Sequence, residues 1–151
     1  MNKKKLNIVV KNANQKHKLS ERFIVELTSD ILKILKLSPN TKLDIVFLSD
    51  RAIEPFNRLY KKKNGATDVL SFDLGSCGQI LISSDMALRN SRAFNTSFER
   101  ELVLYLIHGI LHLFGYDDRS LKKKLRMFKK QDSVLERLCA KIKLSKVLTR
   151  R

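Results

Sequence analysis

Residues 96–118 read TSFERELVLYLIHGILHLFGYDD, and they predict the helix around which the rest of the chain folds. Thr96-Ser97-Phe98-Glu99 matches a capping box, in which a hydroxyl and a glutamate three residues later satisfy free N–H groups at a helix start. Residues 100–114 are apolar on nearly every face, which is typical of a helix surrounded by protein. We therefore expect a central buried helix here.

Four short segments with alternating or β-branched residues predict strands N-terminal to this helix. They are residues 6–10, 43–48, 69–72 and 78–82. Helical periodicity follows Ser20, and again Ser49 or Asp50, each a suitable N-cap. Because strands and helices are interspersed without regular alternation, we expect an α+β fold. Residues 1–151 form a single domain in this prediction, with about five α-helices packed on one four-stranded mixed β-sheet.

The last predicted helix begins at Ser120 and has separate apolar and basic faces. The apolar face comprises Leu121, Leu125, Phe128, Leu135, Leu138 and Ile142, and the basic face comprises Lys122, Lys123, Lys129 and Lys130. Such a separation is typical of a helix that packs one side on a core. The basic end of the chain, about residues 140–151, is expected to be disordered.

The charge of the chain indicates a polyanionic partner. The sequence has 31 Lys and Arg against 15 Asp and Glu, a formal net charge of +16. A charge of this size sets up a positive field over much of the surface. Lysines cluster at residues 3–5, 61–63 and 122–124, and these three runs favour phosphate contacts.

The cellular location is expected to be the cytoplasm. No apolar run approaches the roughly 20 residues that a membrane-spanning helix needs. The apolar segment after the basic N-terminus is too short for a signal peptide. Cys77 and Cys139 lie far apart without a nearby cysteine or histidine, so neither a disulfide framework nor a cysteine-based zinc site is indicated.

The central helix also predicts a metal site. His108 and His112 are four residues apart, so their imidazoles project from one helix face at a separation that one ion can bridge. Gly115 can take a positive φ and fold the chain back, so that Asp118 supplies a third ligand. Three protein ligands leave one open position, which is typical of a catalytic zinc. The alternative is a pair of hydrogen-bonded core histidines, but burial of two imidazoles has a desolvation cost that a metal offsets.

The spacing of these ligands resembles the zinc-binding segment of metzincin-like proteases. Such proteases need a glutamate directly after the first histidine as general base, and this chain has Gly109 there. Peptide hydrolysis by that mechanism is therefore disfavoured. We interpret Gly109 as leaving space beside the ion, and the basic charge suggests that a phosphodiester enters that space.

Two segments resemble the YbeY family of bacterial metal-dependent endoribonucleases. Residues 108–118 closely resemble the family signature, and residues 56–61 with 67–72 are similar to its other recurrent segment. Residues 78–83 follow in the expected order, so the resemblance covers about residues 6–138. It implies an enzyme of ribosomal RNA maturation and small-subunit quality control that holds one divalent metal ion, zinc.

This chain departs from the family pattern at three positions. It has Asp118 where the family usually has a third histidine, Gln79 where it has an aspartate and Ala66 where it has a proline. Only the first position concerns the metal. A carboxylate in place of a neutral imidazole lowers the net charge of the site by one and should weaken its activation of water.

The resemblance further implies that Arg58 faces the metal cleft, where a guanidinium suits bidentate contact with a phosphate. The alternative is a surface arginine on a helix. Asp68 and Ser71 are expected to orient ligands or substrate, although Asp68 also fits ordinary turn chemistry. Asp117 either orients a histidine or lies exposed in the turn, and His17 is expected to be a bystander.

Three functions are therefore considered. The first is a single-strand-specific, metal-dependent endoribonuclease with His108, His112 and Arg58 as catalytic residues and ribosomal RNA and the small ribosomal subunit as partners. The second is a ribosome-assembly factor that binds RNA without cutting it and holds a structural metal. The third is a metalloprotease.

Overall fold

Four strands and five α-helices make up residues 7–38 and 41–149 of the computed structural model, which are the residues that the structure describes. The strands are β1 (Ile8–Asn12), β2 (Leu43–Leu48), β3 (Val69–Asp73) and β4 (Gly78–Ser83). The helices are α1 (Glu21–Ile34), α2 (Asp50–Lys61), α3 (Ser84–Phe94), α4 (Phe98–Leu113) and α5 (Leu121–Lys141), followed by a short 3-10 helix, Leu144–Val147.

The strands form one mixed sheet in the order β1-β2-β4-β3, which confirms the predicted fold class. β1, β2 and β4 are parallel, and β3 runs antiparallel to β4. The short connection between β3 and β4 allows only an antiparallel pair, whereas the parallel pairs need crossovers that contain a helix. The first strand lies at residues 8–12 rather than 6–10, and residue 6 lies outside the described residues.

The two faces of the sheet carry cores of different size. The larger core packs α1, α4 and α5 on one face, with Ile45, Ile80 and Ile107 fully buried in it. The smaller core centres on Ile53 of α2, which packs with Leu70 and Leu81 on the other face. α4 contacts β3, β4, α3 and α5, so the central buried helix is confirmed.

The predicted N-caps of three helices are confirmed, and the fourth is shifted by one residue. Ser20, Ser49 and Ser120 each accept a hydrogen bond from the N–H three residues later. For α4 the cap is Ser97, not Thr96 as the capping box predicted. The Thr96 hydroxyl instead donates to the buried Glu101 carboxylate at 2.7 Å, because a buried carboxylate needs a donor.

The prediction for α5 was wrong about its first three turns. Leu121, Leu125 and Phe128 are exposed, and Met127 and Gln131 are buried. The helix packs on α4 from Met127 onward, so its inward face is set by that contact and not by the largest apolar residues. α3 was not recognised individually, since its buried residues are small: Ser84, Ala87 and Ser91.

The C-terminal stretch that was expected to be disordered is packed in the structure as far as Thr149. α5 continues to Lys141, Val147 is buried, and Leu148 forms a β-bridge with Leu19. Residues 150 and 151, like the lysines at 3–5, lie outside the described residues. Within residues 7–38 and 41–149, no helix has both the length and the apolarity to cross a bilayer.

α4 approaches the sheet closely at Gly109. A Cβ built on this residue would lie 2.8 Å from Ile80 Cγ2 and 3.2 Å from Val69 Cγ2, and the Ser71 hydroxyl donates to the Gly109 carbonyl at 2.9 Å. The interpretation that this glycine leaves space beside the ion was therefore wrong. It leaves space for the sheet.

A carboxylate network joins the ends of β1, β2 and β4 at Asp85, the second residue of α3. Asn14 Nδ2 and the Asp50 N–H donate to it at 2.9 and 3.0 Å, and His17 Nε2 lies 3.0 Å from it. Burial raises the pKa of Asp85, but these hydrogen bonds and the charge of Lys16 lower it to about 2. His17 thus has a structural partner far from the predicted metal site.

Gly109→Ala is expected to lower the free energy of unfolding by about 1 to 3 kcal/mol, because the added methyl group overpacks the contact with Ile80. Helix propensity alone predicts the opposite, a gain of about 1 kcal/mol. Urea unfolding decides between them. Ser133→Ala, at an exposed position of α5, is the control and should change the value by less than about 0.5 kcal/mol.

The Asp85 network predicts acid sensitivity of the fold. Because the pKa of Asp85 in the folded protein lies below its ordinary value of 3.8, the stabilisation is complete above that value and is lost as the pH falls toward 2. Asp85→Asn removes this dependence. Urea unfolding measures the difference in the free energy of unfolding between the wild type and the variant. This difference should be larger by about 1 to 2 kcal/mol at about pH 5 than at about pH 2.5. A difference that is the same at both pH values would contradict this account.

Candidate metal centre

His108 and His112 lie on the cleft side of α4 with their Nε2 atoms 3.0 Å apart. Gly115 has a φ of 94°, so the chain turns back after α4 as predicted. One ligand atom each from His108, His112 and Asp118 lies within 4.8 Å of the others. The structure therefore brings together the three predicted ligands.

Each histidine also has a protein partner outside the pair. His108 Nδ1 lies 2.8 Å from the Oε1 atom of Gln131, which is buried on α5. An amide oxygen only accepts, so this contact assigns the proton to Nδ1 and leaves Nε2 free to ligate. His112 makes its hydrogen bond with the backbone of Tyr116 in the turn after α4. Both rings are thus oriented toward one point.

The pKa of His112 is lowered from its ordinary value of 6.5. Burial is the main cause, and His108 and Lys61 lower it further, while Asp118 and the Tyr116 backbone act in the opposite direction. A lowered pKa keeps the imidazole neutral near pH 7. Neutral imidazole is the form that binds metal ions.

These side chains fit a divalent ion. Two nitrogen ligands of a tetrahedral zinc with bonds of about 2.0–2.1 Å are about 3.3 Å apart, close to the 3.0 Å observed. Neither histidine is fully buried, and both line an open cleft beside Asp118. A purely structural pair of core histidines would need neither the cleft nor the carboxylate.

The cleft has a volume of about 930 Å³, within the usual range of ligand sites. Asp68 and Ser71, the two residues expected to orient ligands or substrate, both line it. Asp68 Oδ1 accepts from the Val69 N–H at 2.8 Å, and the Ser71 hydroxyl donates to the Gly109 carbonyl. Both side chains therefore hold β3 in place beside the metal ligands.

Arg58 does not line the cleft in the structure. Its Nη2 atom lies 3.1 Å from Glu54 Oε1 on the exposed side of α2. The cation that α2 contributes to the cleft is Lys61, the last residue of the helix. Sequence reasoning placed Lys61 only in a general basic run, and a basic residue in the last turn of a helix gives no sign of what it faces.

Of two further polar residues near the site, Gln131 contacts a candidate ligand and Asp117 does not line the cleft. Gln131 was not expected to support the site, and its only signal is a polar residue on what becomes the buried face of α5. Asp117 lies outside the cleft, where it accepts from the Arg119 N–H at 3.1 Å and pairs with Lys123 at 3.4 Å. The Arg119 hydrogen bond is the main cause of its lowered pKa.

Known proteins resemble this chain over most of its length. The family model described as endoribonuclease YbeY matches residues 9–139. A protein named endoribonuclease YbeY from Lysinibacillus sphaericus is 33% identical over 75% of this chain and 82% of its own length. The one from Halalkalibacterium halodurans is 34% identical over 76% and 84%.

A solved structure agrees with these relatives. The solution structure of a Thermotoga maritima protein matches with a TM-score of 0.65 and 28% identity, and the match covers 88% of this chain and 89% of that one. Three observations support one family assignment: the fold, the convergence of two histidines and an aspartate in a cleft, and the family match over residues 9–139. The chain belongs to the endoribonuclease YbeY family.

Proposed function

We propose that this protein is a single-strand-specific, metal-dependent endoribonuclease that acts in the maturation and quality control of ribosomal RNA. The observation that carries the proposal is the convergence of His108, His112 and Asp118 in an open cleft. The name of its relatives, endoribonuclease YbeY, and the net charge of +16 support RNA as the substrate.

Zinc is the proposed ion, because two neutral imidazoles and one carboxylate form a donor set that it accepts. When bound, such an ion supplies Lewis acidity toward a phosphodiester and its attacking oxygen. Gln131 and the Tyr116 backbone hold the two imidazoles in the orientation that this requires. The Asp118 carboxylate makes the site less positive than a third histidine would.

Lys61 is the proposed phosphate-binding residue of the reaction. It lines the same cleft as the three ligands, and its charge is close enough to lower the pKa of His112. An ammonium group there stabilises negative charge that develops on the phosphodiester during cleavage. Arg58, paired with Glu54 outside the cleft, is not needed in this scheme.

Ribosomal RNA and the small ribosomal subunit are the proposed partners, in the cytoplasm. The lysine runs at residues 61–63 and 122–124 each contribute one residue to the cleft lining, Lys61 and Lys124. A subunit with exposed, unpaired RNA presents phosphates to such a surface. Binding should therefore weaken steeply with salt.

Removal of the ion tests the enzyme against the assembly factor. Chelation, His112→Ala and Asp118→Asn are each expected to lower cleavage of single-stranded ribosomal RNA at least about 100-fold, because activation by the ion is lost. RNA binding should be nearly unchanged. Elemental analysis should show about one ion per chain in the wild type and much less in His112→Ala.

Asp117→Asn is the matched control, since this neighbouring carboxylate lies outside the cleft. It should cleave within about twofold of the wild type. Cleavage that survives both chelation and His112→Ala would count against a metal-dependent nuclease. RNA binding without any cleavage by the wild type would instead favour the assembly factor, and hydrolysis of casein would favour the protease.

Lys61→Ala is expected to lower kcat/KM for RNA cleavage at least about tenfold, because developing phosphate charge loses its cation. Arg58→Ala, three residues away on the same helix, removes the same charge from the exposed side and should stay within about twofold. Equal effects of the two substitutions would mean that only net charge matters. A larger effect of Arg58→Ala would contradict the assignment of Lys61.

A further inference from the structure

Two exposed phenyl rings line the metal cleft. Phe94, the last residue of α3, is 68% exposed, and Phe128 on α5 is 40% exposed. Single exposed apolar residues are common on protein surfaces. Here, however, two aromatic residues from two helices line the same cleft as His108 and His112, with the half-buried Leu104 of α4 among the lining residues.

Charge alone does not explain how a nucleic acid strand is held in this cleft. The described lining residues include four carboxylates, of Asp68, Asp73, Glu101 and Asp118, and three cations, of Lys61, Arg100 and Lys124. A divalent ion would change the balance only from one negative to one positive charge. The strong positive field of the chain therefore attracts RNA, but uncharged contacts have to hold it in the cleft.

Phe128 lies close to the metal centre. It precedes Gln131 by three residues on α5, about 4.5 Å along the helix axis, and Gln131 contacts His108 at 2.8 Å. Lys124, one turn before Phe128, has its Nζ atom over this ring, 5.7 Å from the centroid, so the ring already holds a cation on one face. The exposed lysine side chain can move off the ring to a phosphate, and the ring face that it leaves offers a contact for a nucleobase.

We propose that Phe94 and Phe128 form a base-stacking subsite, which holds unpaired nucleotides of an RNA strand while the scissile phosphate lies at His108 and His112. This inference rests on the proposed function, because it requires RNA in the cleft. Bases within a duplex have both faces covered by their neighbours and cannot stack on a phenyl ring. The subsite therefore selects single-stranded over paired RNA, and Lys124 and Arg100 contact the adjoining phosphates.

The test is a binding measurement with matched variants of the full chain as purified. A single-stranded RNA oligonucleotide that contains 2-aminopurine is mixed with the protein in a stopped-flow instrument, and its fluorescence is read before cleavage. Stacking quenches this fluorophore. Phe94→Ala and Phe128→Ala should each weaken binding about 5- to 100-fold and reduce the quenching, whereas Phe94→Tyr and Phe128→Tyr should retain both.

Phe56→Ala is the control, because Phe56 on α2 is also 40% exposed but does not line the cleft. It should bind as the wild type does. Duplex RNA should bind equally to the wild type, Phe94→Ala and Phe128→Ala. Since both rings are exposed, circular dichroism of these variants should match the wild type.

A second comparison locates the stacked bases. An abasic site is moved along the oligonucleotide one position at a time. When the missing base is the one that stacks on Phe128, the abasic strand should bind to the wild type more weakly than the intact strand does. Phe128→Ala should bind the two strands equally. The two losses are then not additive, as expected for a direct contact.

If Phe94→Ala and Phe128→Ala both bind and quench the strand as the wild type does, the subsite is overturned and the proposed nuclease is unaffected. Equal losses in Phe56→Ala would also overturn it, since they would indicate a general apolar effect. If the wild type binds and quenches the strand but never cuts it, the proposed function fails while the stacking comparison still decides the subsite. Failure of the wild type to bind single-stranded RNA would overturn both.

Discussion

The close approach of α4 to the sheet at Gly109 determines where the candidate metal centre lies. Without a Cβ at this residue, the helix backbone reaches Ile80 and accepts the Ser71 hydroxyl. Successive residues of an α-helix are rotated by about 100°, so the residues one before and three after Gly109 point to the same side of it, about 40° apart. Those residues are His108 and His112. The contact that seats the helix therefore also aims both imidazoles past the edge of the sheet, into the cleft.

Features that depend on local geometry could be predicted from the sequence. The spacing of His108 and His112 fixes their common face in any α-helix, and Gly115 permits the return of the chain toward Asp118. The fold class follows from the order of the strand and helix patterns, because each short pattern has one dominant period. The N-caps of α1 and α5 could also be predicted, because Ser20 and Ser120 each accept a hydrogen bond from within one turn of the helix.

Features that depend on tertiary packing could not be predicted. Arg58 and Lys61 are three residues apart, so they lie about 60° apart around the axis of α2 and about 4.5 Å apart along it. Only the packing of that helix decides which of the two side chains enters the cleft. The same holds for α5, where Gln131 takes an inward position and Leu125 an outward one. Gly109 shows the converse: its position after His108 suggested a role beside the ion, but a side chain at this residue would meet Ile80 and Val69 of the sheet.

In the proposed function, attraction of an RNA strand and its retention in the cleft would act at different ranges. The total charge of +16 raises the potential around the whole molecule and acts within about 8 Å of the surface at physiological ionic strength. In the cleft the charges nearly cancel, because Asp118 and three other carboxylates face three cations. In the proposed function, the overall field would draw a strand toward the surface without selecting the cleft. In this proposal the strand is retained where Lys61 and the exposed rings of Phe94 and Phe128 line the same cleft, so that recognition would depend on the exposed faces of bases as well as on phosphate charge.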